Sequence, residues 1–136
     1  MSDDRRTARV RWDGGMRFRG GAPGGPSVLI DADAKEAPGP MLVLLCAVAA
    51  CSGADVVGIL EKARVKLSTY EIEVLGRRAP EIPKRFLSIH LKIRLGGEGL
   101  DEGKARRAID LSLEKYCSVI HSLKADIPIT YELAIA

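Results

Sequence analysis

Cys46 and Cys51 sit in the apolar stretch "LVLLCAVAACSG", residues 43–54, and Cys117 lies far downstream in "LEKYCSVIH". A thiolate can attack an electrophilic oxygen or sulfur, and a second thiol beside it converts the product into a disulfide. A thiol with nothing beside it is a small hydrophobe that fills a core. Cys46 keeps that second reading: five residues before Cys51, it points about 140° away from it on a helix. Cys46 cannot share a site with Cys51 unless the helix breaks, and for Cys51 and Cys117 both readings stay open. Arg17 and Arg19 in "GGMRFRG" are the cations available to stabilise a thiolate, with Arg17 preferred; the alternative is that both face water on a strand edge. His121, four residues after Cys117, shares its face if one helix carries both, and an imidazole there could act on the thiol. Near a helix C-terminus the same residue is equally a surface group. A zinc site from Cys51, Cys117 and His121 lacks the close Cys/His spacing such sites use, so neither a metal nor an organic cofactor is expected. Asp55, one turn after Cys51, reads as a capping or interface group; close to the thiol it would oppose ionisation.

These residues need elements to hold them. The 136 residues suggest one domain, 1–136, with a loose tail over 1–7. Aromatics make up only 4%, so the core must be aliphatic. A net charge of +3, with both signs mixed along the chain, argues against nucleic acid as a partner. The start "MSDDRRTARVRW" has no apolar signal segment. The apolar run 41–51 is too short to span a bilayer, so no membrane role is expected. An odd cysteine count without a secretory signal favours reduced thiols in a cytoplasm.

Val10 and Trp12 alternate with Arg9 and Arg11, and Met16 and Phe18 with Arg17 and Arg19, around a Gly14-Gly15 turn. With "SVLIDA" this outlines a β-meander. "KEAPGP" starts a helix that the pattern extends from Met41 to about Val65. Its first half is apolar all round, which calls for burial on every side. Gly53 and Gly58 interrupt it and suggest close approach of a neighbouring element. Tyr70, Ile72 and Val74 form one face of a strand. Leu87, Ile89, Leu91, Ile93 and Leu95 form another, in a half-buried antiparallel strand with His90 on its wet side. A second helix is expected from "GLDEGKARRAIDLSLEKYC" and to reach at least Cys117, followed by a last strand through Ile129, Tyr131, Leu133 and Ile135. The order βββ–α–ββ–α–β is an α+β layout.

"PMLVLLCAVAACSGADVVGIL" and "GEGLDEGKARRAIDLSLEKYCSV" together resemble the OsmC/Ohr family (osmotically inducible protein C and organic hydroperoxide resistance protein), over nearly the whole chain. "PM" at the helix start is most like the OsmC-like branch. The resemblance implies an α+β swapped homodimer with a cysteine pair near each subunit interface. It implies thiol-dependent reduction of small apolar hydroperoxides, with Cys51 peroxidatic, Cys117 resolving and an external dithiol as reductant. Met41, Leu44, Leu45 and Val48 would give the peroxide an apolar lining. One departure stands out. The family's peroxidases carry a Glu ten residues before the first cysteine, paired with an N-terminal Arg; here that position is Met41, which leaves Arg17 without that partner. The missing Glu favours a rival reading, a non-catalytic dimer that binds or senses a small apolar or electrophilic ligand.

The all-round apolar stretch 41–51 needs more cover than one small sheet supplies. We therefore predict a homodimer whose interface buries more than about 2,000 Å² in total. Light scattering at micromolar concentration checks this, and a monomeric mass contradicts it.

Overall fold

Arginine alternating with apolar residues makes β1 (Arg9–Trp12) and β2 (Arg17–Gly21), and the apolar run of "SVLID" makes β3 (Ser27–Asp31), three short antiparallel strands hydrogen-bonded in that order. The structure is a computed structural model and describes residues 4–136. Of the expected tail, residues 4–7 are exposed and outside any helix or strand, while 1–3 lie outside the described residues. The expected Gly14-Gly15 turn is present; both glycines take positive φ, 85° and 54°, where a side chain is strained. Asp31, at the end of β3, is buried. Its carboxylate accepts the backbone N–H groups of Asp33, Lys35 and Glu36 at 2.9, 3.2 and 3.0 Å. The Glu36 bond is the largest of the effects that hold this carboxyl below its ordinary pKa. This cradle fixes the loop that leads into the first helix. The chain divides into two compact units, one up to Leu44 and one from Leu45 onward.

Helix α1 (Pro40–Lys62) begins at a proline, which a first helical turn tolerates. It ends three residues short of the expected Val65. Leu45, Val48, Ser52, Val56 and Leu60 form its buried line, at helical spacing. By length and composition alone α1 is long and apolar enough to cross a membrane. That buried line, with polar Ser52 inside it, packs into the core. It also corrects the apolar lining expected at Leu45 and Val48, because both are core residues with 7% and 0% exposure.

The second sheet holds β4 (Lys66–Arg78), β5 (Phe86–Glu98) and β6 (Ile129–Ile135), with β5 in the centre. β5 runs antiparallel to β4, as expected, and parallel to β6. A parallel pair needs a crossover connection, and the second helix provides it. Ile89, Leu91, Ile93 and Leu95 are buried on one face. Leu87, expected in that row, is exposed, and Phe86 is buried in its stead. The pairing slips between Arg77 and Arg78, and the bulge turns the Phe86 ring over Gly76.

The two helix glycines separate. At Gly53 a methyl group would lie 3.7 Å from Tyr70 and 3.8 Å from Ile72, so the close approach expected there exists. At Gly58 it would meet nothing within 4 Å. The space there is open, and the contact expected from sequence is absent.

Tyr70 packs near Gly53 with its hydroxyl buried, and that oxygen alone among the described residues' buried side-chain polar atoms lacks a hydrogen-bond partner. Burial pushes its pKa up to about 12 from 10.0. An orphaned buried hydroxyl costs about 1–3 kcal/mol, so its removal is neutral or favourable. Tyr70→Phe is expected to match or exceed the parent's unfolding free energy at pH 7. Because the folded pKa is raised, the neutral phenol's stabilising effect is present below pH 10 and lost as pH rises towards 12. Over that window the parent should lose stability that the variant keeps. Denaturant titrations from pH 7 to 11.5 check both; a variant more than about 1 kcal/mol less stable at pH 7 contradicts the orphaned hydroxyl.

Candidate functional site

Helix α2 (Glu102–Leu111) starts at Asp101, whose side chain accepts the Lys104 N–H at 2.8 Å. Ala105, Ala108 and Ile109 are its buried face. The sequence pattern carries this helix to Cys117, but the α-helix ends at Leu111. A π-helical turn, Ser112–Tyr116, follows. Cys117 then breaks the helix with extended backbone (φ −71°, ψ 102°), and a short helix α3 (Ser118–Ser122) restarts after it.

The reason is a polar contact between helices. Ser112 is fully buried. Its hydroxyl lies 2.9 Å from Asp55 Oδ2 and 3.4 Å from the Ser52 carbonyl oxygen, both on α1. On an α-helix, residues five apart point about 140° from one another, so Ser112 and Cys117 could not both face α1. The wider turn closes that gap with one long-range bond, Cys117 N–H to the Ser112 carbonyl at 2.8 Å. Cys117 is thereby fully buried as well.

Cys51 meets it there. The Cys51 thiol lies near enough to raise the pKa of Cys117, and both are free. Burial pushes the Cys117 thiol up to about 11, against the pull of the Ile120 backbone amide; the Cys51 contact and the charges of Cys51 and Asp55 add to the rise. Cys117 therefore holds its proton across the physiological range. Cys51 is half-buried. Cys46 is exposed and takes no part in the contact.

The other sequence candidates fall elsewhere. His121 is exposed in α3, and its tie to Cys117 is through the backbone, N–H to carbonyl at 3.1 Å. Arg17 belongs to β2 in the first unit. It is not without a carboxylate: Glu36 Oε2 lies 3.6 Å from its Nε, and its Nη2 donates to the Asp13 carbonyl at 3.1 Å. Arg19 pairs with Asp13 at 3.2 Å. No three His, Cys, Asp or Glu side chains converge as a metal would require, among the described residues. The residues that sequence reasoning missed are Ser112 and Glu36. Ser112 alone carried a hint, being a small polar residue on the apolar side of α2's pattern.

Comparison with known proteins agrees with this architecture. The family model for OsmC-like protein matches residues 32–132. Protein YhfA of Escherichia coli is 38% identical over 125 residues, covering 91% of this chain and 93% of its own. A hypothetical protein from Aquifex aeolicus superposes with a TM-score of 0.82 at 26% identity, over 98% of this chain and 99% of that one. The organic hydroperoxide resistance protein OhrB of Bacillus subtilis shares the fold, with a TM-score of 0.62 at 19% identity and coverage of 94% and 98%. With the α+β layout, the paired thiols and this family match in hand, the chain belongs to the OsmC-like protein family.

Proposed function

We propose that the protein is a thiol peroxidase that reduces organic hydroperoxides through Cys51 and Cys117. The observation that carries this reading is the contact between one half-buried and one fully buried free thiol. Of the two, Cys117 keeps its proton, which leaves Cys51 as the nucleophile. The Cys51 thiolate attacks the terminal oxygen of the hydroperoxide, the O–O bond breaks, and the alkoxide leaves and is protonated to an alcohol. Cys51 is now a sulfenic acid. Cys117 attacks its sulfur; the S–O bond breaks, the thiol proton joins the departing hydroxide as water, and the disulfide forms. An external dithiol then reduces that disulfide by exchange.

Arg17 is the proposed cation for the thiolate, with Glu36 as the carboxylate that orients it. The active species in this reading is a cytoplasmic homodimer, with no metal and no organic cofactor. A second reading, a binding or sensing dimer, draws on Met41 at the position where the peroxidases carry Glu. The Arg17–Glu36 ion pair weakens that motive.

Stopped-flow oxidation with tert-butyl and cumene hydroperoxides tests the assignment. Cys51→Ser should abolish both peroxide consumption and sulfenate formation. Cys117→Ser should react once and stop at a sulfenic acid that trapping reagents detect, then over-oxidise in excess peroxide. Cys46→Ser should turn over like the parent, and Arg17→Ala should slow the first step roughly 10²-fold or more. A Cys51→Ser variant that reacts at the parent rate overturns the nucleophile's identity. A parent that does not react shifts the function to the binding reading.

A further inference from the structure

The second step of a two-thiol reaction demands more placement than the first. A small oxidant diffuses to Cys51, whereas Cys117 must already stand within reach of the Cys51 sulfur. A disulfide closes only with Cβ atoms about 3.5–4.5 Å apart. Cys117 stands between two helical segments, on extended backbone. Its N–H is tied to the Ser112 carbonyl at 2.8 Å, across the π-helical turn. Where Ser112 sits, Cys117 follows. Such turns are rare and concentrate at functional sites.

Ser112 is in turn held from α1. Its hydroxyl donates to Asp55 Oδ2 at 2.9 Å, while the Ser52 carbonyl, the other acceptor, is farther away at 3.4 Å. Asp55 is half-buried and comes four residues after Cys51, so the two side chains share a face of α1. The acceptor that holds the resolving segment thus stands one turn from the thiol to be resolved. Cys51, Asp55, Ser112 and Cys117 all belong to the second unit. Burial, ahead of the Asp55 charge, is the largest effect on the Cys117 thiol. What Asp55 adds is an acceptor at a fixed place.

We propose that Asp55 is a positioning residue for the resolving step: by accepting the Ser112 hydroxyl, it holds Cys117 where it can attack a Cys51 sulfur that carries a leaving group. This rests on the peroxidase reading for the identity of that group, hydroxide, and for nothing else. In the step the S–S bond forms, the bond from the Cys51 sulfur to the leaving group breaks, and the Cys117 proton goes with the departing group. From a sulfenic acid the product is water. Diamide, an azo oxidant, adds to the Cys51 thiolate through one nitrogen; there the S–N bond breaks and a hydrazine leaves. Closure is therefore measurable with no peroxide present.

Rapid-quench mass spectrometry of the reduced full-length chain with diamide, in a Cys46→Ser background, separates adduct formation on Cys51 from closure. Asp55→Ala and Ser112→Ala should form the adduct within about twofold of the parent rate and close roughly 10²-fold more slowly. Asp55→Asn keeps an acceptor oxygen without the charge, and it should close within about fivefold of the parent. The Asp55→Ala/Ser112→Ala double variant should close no more slowly than the slower single variant, because both changes remove one contact. With cumene hydroperoxide the alanine variants should accumulate sulfenic acid and over-oxidise. Alanine variants that close at the parent rate overturn the proposal, as does adduct formation slowed as much as closure. So does Asp55→Asn closing as slowly as Asp55→Ala, because charge is then at work, or faster than the parent, because Asp55 then restrains Cys117. Should Asp55→Ala fail to fold, Ser112→Ala and Asp55→Asn decide the matter on the same readings. A parent that closes with diamide but ignores peroxide removes the peroxidase reading and leaves the positioning role standing; a parent that never closes overturns that role.

Discussion

One buried hydroxyl ties the thiol site together. Ser112 reaches across to Asp55 at 2.9 Å and lies 3.4 Å from the Ser52 carbonyl, joining the crossover segment to α1 within a few residues of Cys51. A polar group with no exposure must find partners or cost about 1–3 kcal/mol. Meeting that demand fixes the rotation of the segment at residue 112. The chain then needs five more residues to arrive at Cys117 on the same side. An α-helix cannot do this, and the π-turn can. The cysteine contact is thus a consequence of satisfying a serine.

The thiol asymmetry follows from the same constraint. Cys117 is carried to the interior beside a thiol and a carboxylate, and its proton is held tightly for that reason. Cys51 stays on α1 at the edge of the core. Burial is the largest of the effects that raise the Cys117 pKa, and the neighbouring Cys51 and Asp55 add to it.

Much of this was legible in the sequence because it rests on local periodicity. Arginine alternation marked β1 and β2, and Ile89 through Leu95 marked the buried face of β5. The pairing of Cys51 with Cys117 followed from the family resemblance, with Cys46 excluded by helix geometry. What stayed hidden depends on contacts distant along the chain. The helix break before Cys117 arises because Ser112 finds a partner 57 positions away. Glu36 reaches Arg17 because Asp31 folds the loop between them. The exchange of Leu87 for Phe86 depends on a bulge opposite, at Arg77 and Arg78. Gly53 and Gly58 look alike as helix glycines, yet one faces Tyr70 and the other faces open space; periodicity cannot tell them apart.

The central claim is that Cys51 and Cys117 form a single redox unit from which Cys46 is excluded. Equilibration of the protein in glutathione buffers of graded potential, followed by acid quench, alkylation and peptide mapping, tests it without any assumption about substrate. The account predicts one two-electron transition in which the Cys51 and Cys117 peptides become linked while Cys46 remains alkylatable at every potential. Linkage through Cys46, or free Cys51 and Cys117 at the most oxidising poise, would contradict it.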